Sequence, residues 1–452
     1  MRLRAQLARL LGDLIRATGR GGGTTLPGRA LLAVEPKALE RLGRKLTGGA
    51  LLVSATNGKT TTASLLGRIL SEDGRRVIAN GAGSNMPWGI VTALIEGQDG
   101  TGLFEVDEAW LPGVSAELDP AVVILGNLFR DQLDRYGETE QIADRWTELA
   151  SSSPAATRFV VNADDPIVAE IGLSASGQAI FFGIDDPAIA LTTQPHAADA
   201  RRCRRCGERL DFERIHLGHL GIYSCPACGA TRPEPDLVAS SIELIGAESV
   251  RATISFEGTE HRLVLPLPGI YNLYNAIGAL AGAVALGIDL SLAVRALAGA
   301  EPVFGRAERV QIDGTEATIL LIKNPVGANE VIRTLGSGDG DFDLWIGLND
   351  RIADGRDVSW IWDADFEQLP AGIRRITCAG TRAAEMALRL KYGGIDRERI
   401  EIEPEIGISF DRAARSAVGR LYALPTYTAL LELEDHIREG ADLDPYWKGP
   451  TQ

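Results

Sequence analysis

The stretch "LLVSATNGKTTTASLLGRIL", Leu51 to Leu70, decides how this chain is read. It begins as an apolar run, breaks at Thr56-Asn57-Gly58, and continues from Lys59 into a segment that reads as a helix. A strand that turns through glycine into a helix gathers backbone N–H groups and the positive end of the helix around one anion. Lys59 is then placed to reach terminal phosphates, and the Thr60 hydroxyl to ligate Mg²⁺. The common loop G-x-x-x-x-G-K-[ST] would carry glycine where Val53 stands, so any tight turn must be made with Ala55 and Thr56.

Working outward, "RRVIANGAGSNMPWGIVTALI" reads as a strand, a glycine-rich turn and a helix. "GLFEVDEAWLPG" and "AVVILGNLFRDQLDRYGE" are apolar strands that run into acidic or polar residues, and "TRFVVNADDP" and "QAIFFGID" repeat the theme. Strands alternating with helices at this interval predict a doubly wound parallel sheet with ligands at the carboxyl ends of its strands. The texture changes to Cys, Arg and Gly from His196 to Glu234, which reads as an insertion, and the β-type stretch "ESVRATISFEGTEHRLVLPLPG" follows. "YNLYNAIGALAGAVALGID" predicts a helix closed by glycine. "PVFGRAER", Pro302 to Arg309, reads as a linker, after which "ATILLIKNP", "DFDLWIGLND" and "RRITCAG" begin a second α/β alternation. The expected organisation is a basic helical segment over 1–45, a sheet domain over 46–302 with its insertion at about 196–234, and a C-terminal α/β domain over 303–452.

The 452 residues carry a formal net charge of −15, which speaks against general affinity for nucleic acid. No apolar run reaches the roughly 18 residues of a membrane span, and the start lacks the apolar core and small-residue cleavage site of a secretory signal. A cytoplasmic protein is expected. Its first segment is locally basic, with Arg2, Arg4, Arg9 and Arg16 above an apolar stripe of Leu3, Leu7, Leu10, Leu14 and Ile15. Such a helix docks on its own domain or lies on an anionic membrane surface, and the first is the expectation.

Cys203, Cys206, Cys225 and Cys228 form two C-x2-C pairs eighteen residues apart, the spacing of a zinc ribbon. Four thiolates leave no position for water, so the zinc is expected to be structural. Disulfides are the competing reading, disfavoured in a reducing compartment. His216 and His219, between the pairs, are expected to be exposed rather than ligating. The fifth cysteine, Cys378, lies on an apolar strand and reads as a buried structural thiol.

"ATNGKTTT" resembles the ATP loop of the Mur ligase family, typically G-T-[NK]-G-K-[ST], with Ala55 at the place of the family's glycine. The resemblance explains why Val53 is no glycine: the loop is a shorter variant and Val53 belongs to the strand. It implies ATP bound by Thr56, Asn57, Gly58, Lys59, Thr60 and Thr61, with Mg²⁺ on Thr60 and on Glu105 of "FEVDEAW", Asp107 and Glu108 standing behind. A solvated acidic turn is the plainer reading of those acids. It further implies that Asn275 of "YNLYNAIGA" meets the adenine, where a helix N-cap is the plain alternative, and that Arg306 of "FGRAER" reaches the nucleotide.

"NLFRDQLDRYGE", "NADDP", the four-cysteine insertion, "NDRIADGRDVSWIWDADF" and "LPTYTAL" together resemble the branch of that family that amidates lipid II. The implied reaction converts the D-glutamate α-carboxylate of the stem peptide to D-isoglutamine through an acyl phosphate, at the inner face of the membrane. Amino-acid-adding members hold a second metal with a carbamylated lysine, and no equivalent lysine follows "NLFRDQLDRYGE", which fits ammonia as the nucleophile. Making ammonia from glutamine calls for a Cys–His pair, which this chain lacks, so a separate glutaminase subunit resembling GatD is implied. Asp357 would orient that partner's histidine, with Asp354 and Asp350 nearby; an Asp-Gly turn is what the residues alone would favour. The alternatives are an amino-acid-adding or folylpolyglutamate-type ligase of the same fold, and a zinc-ribbon NTPase that binds nucleic acid.

Overall fold

The computed structural model describes residues 25–81, 83–130, 139–192, 195, 199–301, 306–312, 314–336 and 341–441, so the expected basic N-terminal helix over its first 24 residues and all of "DQLDRYGE" lie outside the described residues. Two sheets organise the chain. The first comprises β1 (Ala50–Ser54), β2 (Val77–Ala79), β3 (Thr101–Glu105), β4 (Val122–Leu125), β5 (Arg158–Asn162), β6 (Ala179–Ile184), β9 (Leu237–Ile245), β10 (Ser249–Phe256) and β11 (Thr259–Leu265), in the order β11-β10-β9-β6-β5-β4-β1-β3-β2. Pairing is parallel from β2 through to β9 and antiparallel only at the β9-β10-β11 edge.

The apolar runs are long because both faces of these strands are covered. Along β1 the side chains alternate between two cores. Leu51 and Val53 pack with Leu66, Ile69, Leu273, Ile277 and Leu280 of the Lys59–Glu72 and Ile270–Ala285 helices, while Ala50 and Leu52 pack on the other face with Leu39, Ile90, Phe104 and Trp146. Because β1 has β3 on one side and β4 on the other, the chain reverses direction across the sheet here. The crevice outside the carboxyl ends of β1, β3 and β4 is the place where such sheets bind ligands.

The insertion is the hairpin β7 (Asp211–Leu217) and β8 (Leu220–Ser224), a separate two-stranded sheet. The second large sheet has the order β12-β13-β17-β14-β15-β16, from β12 (Arg306–Ile312), β13 (Thr315–Leu320), β14 (Phe342–Gly347), β15 (Ile373–Ala379), β16 (Ile400–Ile402) and β17 (Arg420–Pro425). It carries its own cores on its two faces. Here the linker expectation needs correction: residues 306–309 are strand, paired antiparallel with β13, because "RAERVQI" can close a hairpin through Gly314. No helix among the described residues is long and apolar enough to cross a membrane.

Candidate active site

The loop after β1 is held from its neighbour. The Asn127 carbonyl accepts from Thr56 N at 3.0 Å, its side-chain Oδ1 accepts from Asn57 N at 2.9 Å, and its Nδ2 donates to the Asn57 carbonyl at 2.9 Å. The Thr56 hydroxyl accepts from Phe129 N at 3.0 Å and donates to the Phe129 carbonyl at 3.2 Å. The exit of β4 thus shapes a turn that an early glycine would otherwise shape, which is how Ala55 is accommodated. Gly58 is different. Its φ of +90° disfavours any side chain, and a Cβ there would sit 1.9 Å from Asn275 Oδ1.

Thr60 and Glu105 are brought together: the hydroxyl donates to Glu105 Oε2 at 2.8 Å. Asn80 fixes the end of β3 by accepting from Glu105 N at 3.0 Å and donating to its carbonyl at 2.9 Å. The Lys59 ammonium is folded back onto the loop, donating to the Ala55 carbonyl at 2.5 Å and to Glu108 Oε2 at 2.9 Å. Burial disfavours this ammonium, but Glu108, Glu105 and Asp107 outweigh it and raise its pKa above the usual lysine value. Glu108 is itself raised by burial, against the pull of Lys59. Thr60 and Glu105 present a hydroxyl and a carboxylate side by side, a donor pair suited to a hard cation that takes phosphate and water for its other positions.

Asn275 lies beside Gly58, within 3.4 Å of Thr62 Oγ1, and lines a cavity with Gly58, Thr61, Tyr271, Lys323 and Glu330. The last two come from the second sheet unit, which touches the loop directly. Lys323 Nζ donates to the Thr56 carbonyl at 3.0 Å, and Asn324 Nδ2 to Asn57 Oδ1 at 2.9 Å. Burial pushes the Glu330 carboxyl up to about 7, with Arg333 pulling the other way. Arg306 begins β12, and its side chain lies outside what is described.

Asp357 sits apart from this cluster in an exposed turn, its Oδ1 accepting from Ser359 N at 2.8 Å. Hydrogen bonds from Ser359 hold its carboxyl below the usual range. Asp354 caps the last helix by accepting from Thr428 N at 2.8 Å, and Asp350 accepts from Thr381 Oγ1 at 2.8 Å. Cys378 is buried on β15, and burial pushes its thiol up to about 12, which leaves it unreactive.

The four cysteine sulfurs lie within 4.8 Å of one another. The Cys203–Cys228 and Cys206–Cys225 separations are 3.6 and 3.5 Å. Zn–S bonds of about 2.3 Å in a tetrahedron require edges of about 3.8 Å, so the cluster fits zinc. The expectation for His216 and His219 is overturned: both are fully buried, because the hairpin packs its tip inward against Asp164, Asp165 and Phe129.

Asn127, Lys323, Asn324 and Glu330 were not anticipated from the sequence. The signal for two of them stood in "ATILLIKNP", where a strand ends on a cation and an amide.

Comparison with known proteins gives the class first. Residues 53–223 match the family described as Mur ligase middle domain. The structure of a pseudomurein peptide ligase type C from Methanothermus fervidus has a TM-score of 0.68 to this chain at 23% identity, covering 88% of this chain and 80% of that one. This is the α/β fold of a Mur-type ligase. The branch follows from the second unit, where residues 321–430 match the family described as MurT ligase C-terminal. The lipid II isoglutaminyl synthase (glutamine-hydrolyzing) subunit MurT of Streptococcus pneumoniae is 33% identical over 92% of both chains. Its counterpart from Staphylococcus aureus is 32% identical over 95% of this chain and 96% of that one. The chain belongs to the MurT family.

Proposed function

We propose that this chain is the ATP-dependent synthetase subunit of an enzyme that amidates the D-glutamate α-carboxylate of the lipid II stem peptide, a step in peptidoglycan synthesis. The full-length kinship with MurT subunits carries this reading, and the local geometry supports it. The amides of Gly58, Lys59, Thr60 and Thr61 receive the phosphates at the amino end of the Lys59–Glu72 helix, while the Asn57 amide stays on Asn127 and fixes the loop, and Asn275 faces the base. On arrival of the triphosphate, the Lys59 ammonium exchanges the Ala55 carbonyl for a phosphate oxygen. Thr60 and Glu105 would hold Mg²⁺, which would offset charge on the phosphates.

The γ-phosphoryl group is transferred to a carboxylate oxygen, and ADP departs. The resulting acyl phosphate has a good leaving group where the carboxylate had none. Ammonia attacks its carbonyl carbon, phosphate leaves with the C–O electron pair, and the amide loses a proton. The ammonia comes from a glutaminase partner of the GatD type. The relatives are named as subunits of a glutamine-hydrolyzing synthase, and Cys378 is unsuited to glutamine hydrolysis by its burial. Asp357 stands on the surface as an ionised carboxylate able to orient an imidazole across an interface. The four cysteines would hold Zn²⁺, whose bonds would tie the two ends of the insertion together. The basic N-terminal segment is a candidate contact with the inner membrane face, where lipid II is presented.

The test is to purify the full chain with a glutaminase of that type and follow lipid II by mass spectrometry with ATP and either glutamine or ammonium. Amidated lipid II from both nitrogen sources is expected. A complex that binds no adenine nucleotide, or lipid II left unamidated with ammonium, would sink the proposal.

A further inference from the structure

The insertion has two dissimilar ends. At its root the cysteines alternate between buried and exposed. At its tip the hairpin dives into the protein. Leu217 and Leu220 line the same cavity as Gly58, Asn275 and Lys323. A Cβ on Gly218 would meet the Phe129 ring at 2.9 Å and Val326 Cγ1 at 3.4 Å, so the tip is wedged between the two sheet units. The His219 ring leans on Phe129 with centroids 4.5 Å apart, and His216 Nδ1 lies 3.3 Å from Tyr274 Oη. From the second unit, Arg333 donates to the His216 carbonyl at 2.7 Å and to the Ile189 carbonyl at 2.6 Å.

We propose that the tip of the four-cysteine insertion is the apolar wall of the nucleotide cavity, with Leu217 and Leu220 packing on the base and Arg333 positioning them. The inference rests on the nucleotide reading given above. Phosphates go where N–H groups converge, at residues 58–61, so the base goes to the end of the cavity that aliphatic side chains line. Leu217 and Leu220 supply one face there, and Val326 and Val331 of the Pro325–Gly336 helix supply further aliphatic lining. Burying a flat ring against aliphatic side chains removes apolar surface from water and is worth roughly tenfold in affinity per well-packed side chain. Part of the base site therefore belongs to a segment with its own folding requirement, whereas the phosphate site belongs to the sheet. Arg333 acts through the His216 carbonyl rather than on the ligand.

Isothermal calorimetry on the full chain with ADP, and separately with inorganic tripolyphosphate, tests this. The Leu217→Ala/Leu220→Ala variant is expected to weaken ADP about tenfold or more and to leave tripolyphosphate within about twofold. Arg333→Gln should shift ADP in the same sense, and Leu217→Met/Leu220→Met should recover most of the affinity. Thermal unfolding confirms that each variant is folded, and the single Leu217→Ala substitution decides the matter if the double one does not fold. A folded alanine variant that binds ADP as tightly as the parent, or that loses both ligands equally, overturns the inference. A parent protein that binds tripolyphosphate but not ADP also overturns it, and one that binds neither removes the nucleotide reading itself.

Discussion

The phosphate loop and the four-cysteine root are both clusters of potential ligand atoms, yet their chemistry is opposite. In the loop each group is satisfied by a partner it can exchange: Thr60 by Glu105, Lys59 by the Ala55 carbonyl and Glu108. Such pairs keep the apo site from holding uncompensated charge, and they release their atoms when a better partner arrives. At the root the sulfurs face chiefly one another, 3.5 to 3.6 Å apart across the two pairs, an arrangement stable as thiolates only around a cation. On the proposed function, one cluster turns over and the other stays closed. The same distinction between exchange and permanence orders what substitutions should do.

The largest effect is expected where exchange is removed. Thr60→Ala and Glu105→Ala should each lower ATP turnover by about 10²-fold or more, with melting temperatures close to the parent. Steady-state ATPase assays on the complex check this, and normal turnover in either variant would break the assignment of that pair to Mg²⁺. Next comes Asp357→Asn, which should cut glutamine-driven amidation by about 10²-fold or more while sparing ammonium-driven amidation. Equal loss with both nitrogen sources would mean that the turn around Ser359 matters only for folding.

How much of this is legible in the sequence differs between the two clusters for the same reason. The cysteine root is local in sequence, two short pairs on one hairpin, so spacing alone carried it. The loop is only half local. Gly58, Lys59 and Thr60 are contiguous, and Glu105 ends a recognisable strand. By contrast, Asn127, Lys323 and Asn324 reach Thr56 and Asn57 across 70 to 267 residues. No periodicity in one segment reports such a contact. The histidines failed for a related reason. Between two metal-binding pairs a polar hairpin tip reads as solvated, and only the packing of that tip against Asp164, Asp165 and Phe129 shows that it is core. Likewise β12 was hidden in "RAERVQI", whose charged residues gave no apolar run, although its alternation suits an edge strand.

The permanent cluster should show itself in stability before activity. Cys203→Ser leaves three sulfurs, and the expected result is loss of one zinc by elemental analysis with a fall in melting temperature of roughly 10 °C. A parent preparation free of metal, or an unchanged melting curve after chelation, would erase the contrast with the loop.

The smallest effect concerns Glu330, which belongs to neither cluster but lines the cavity beside Gly58. Its carboxyl titrates at about 7 in the folded chain against an ordinary 4.5, because burial disfavours the anion more than Arg333 favours it. Between those values the folded state keeps a proton that the unfolded state has released. Stability from this group is therefore full below about 4.5, declines as pH rises, and levels off above about 7, a total of about 3 kcal/mol. Glu330→Gln removes the titration. The variant should match the parent near pH 4 and melt several degrees above it near pH 8, the gap opening between about pH 4.5 and 7. A gap of the same size at every pH would show that Glu330 keeps its ordinary proton affinity, and that a neighbour in the cavity compensates its charge.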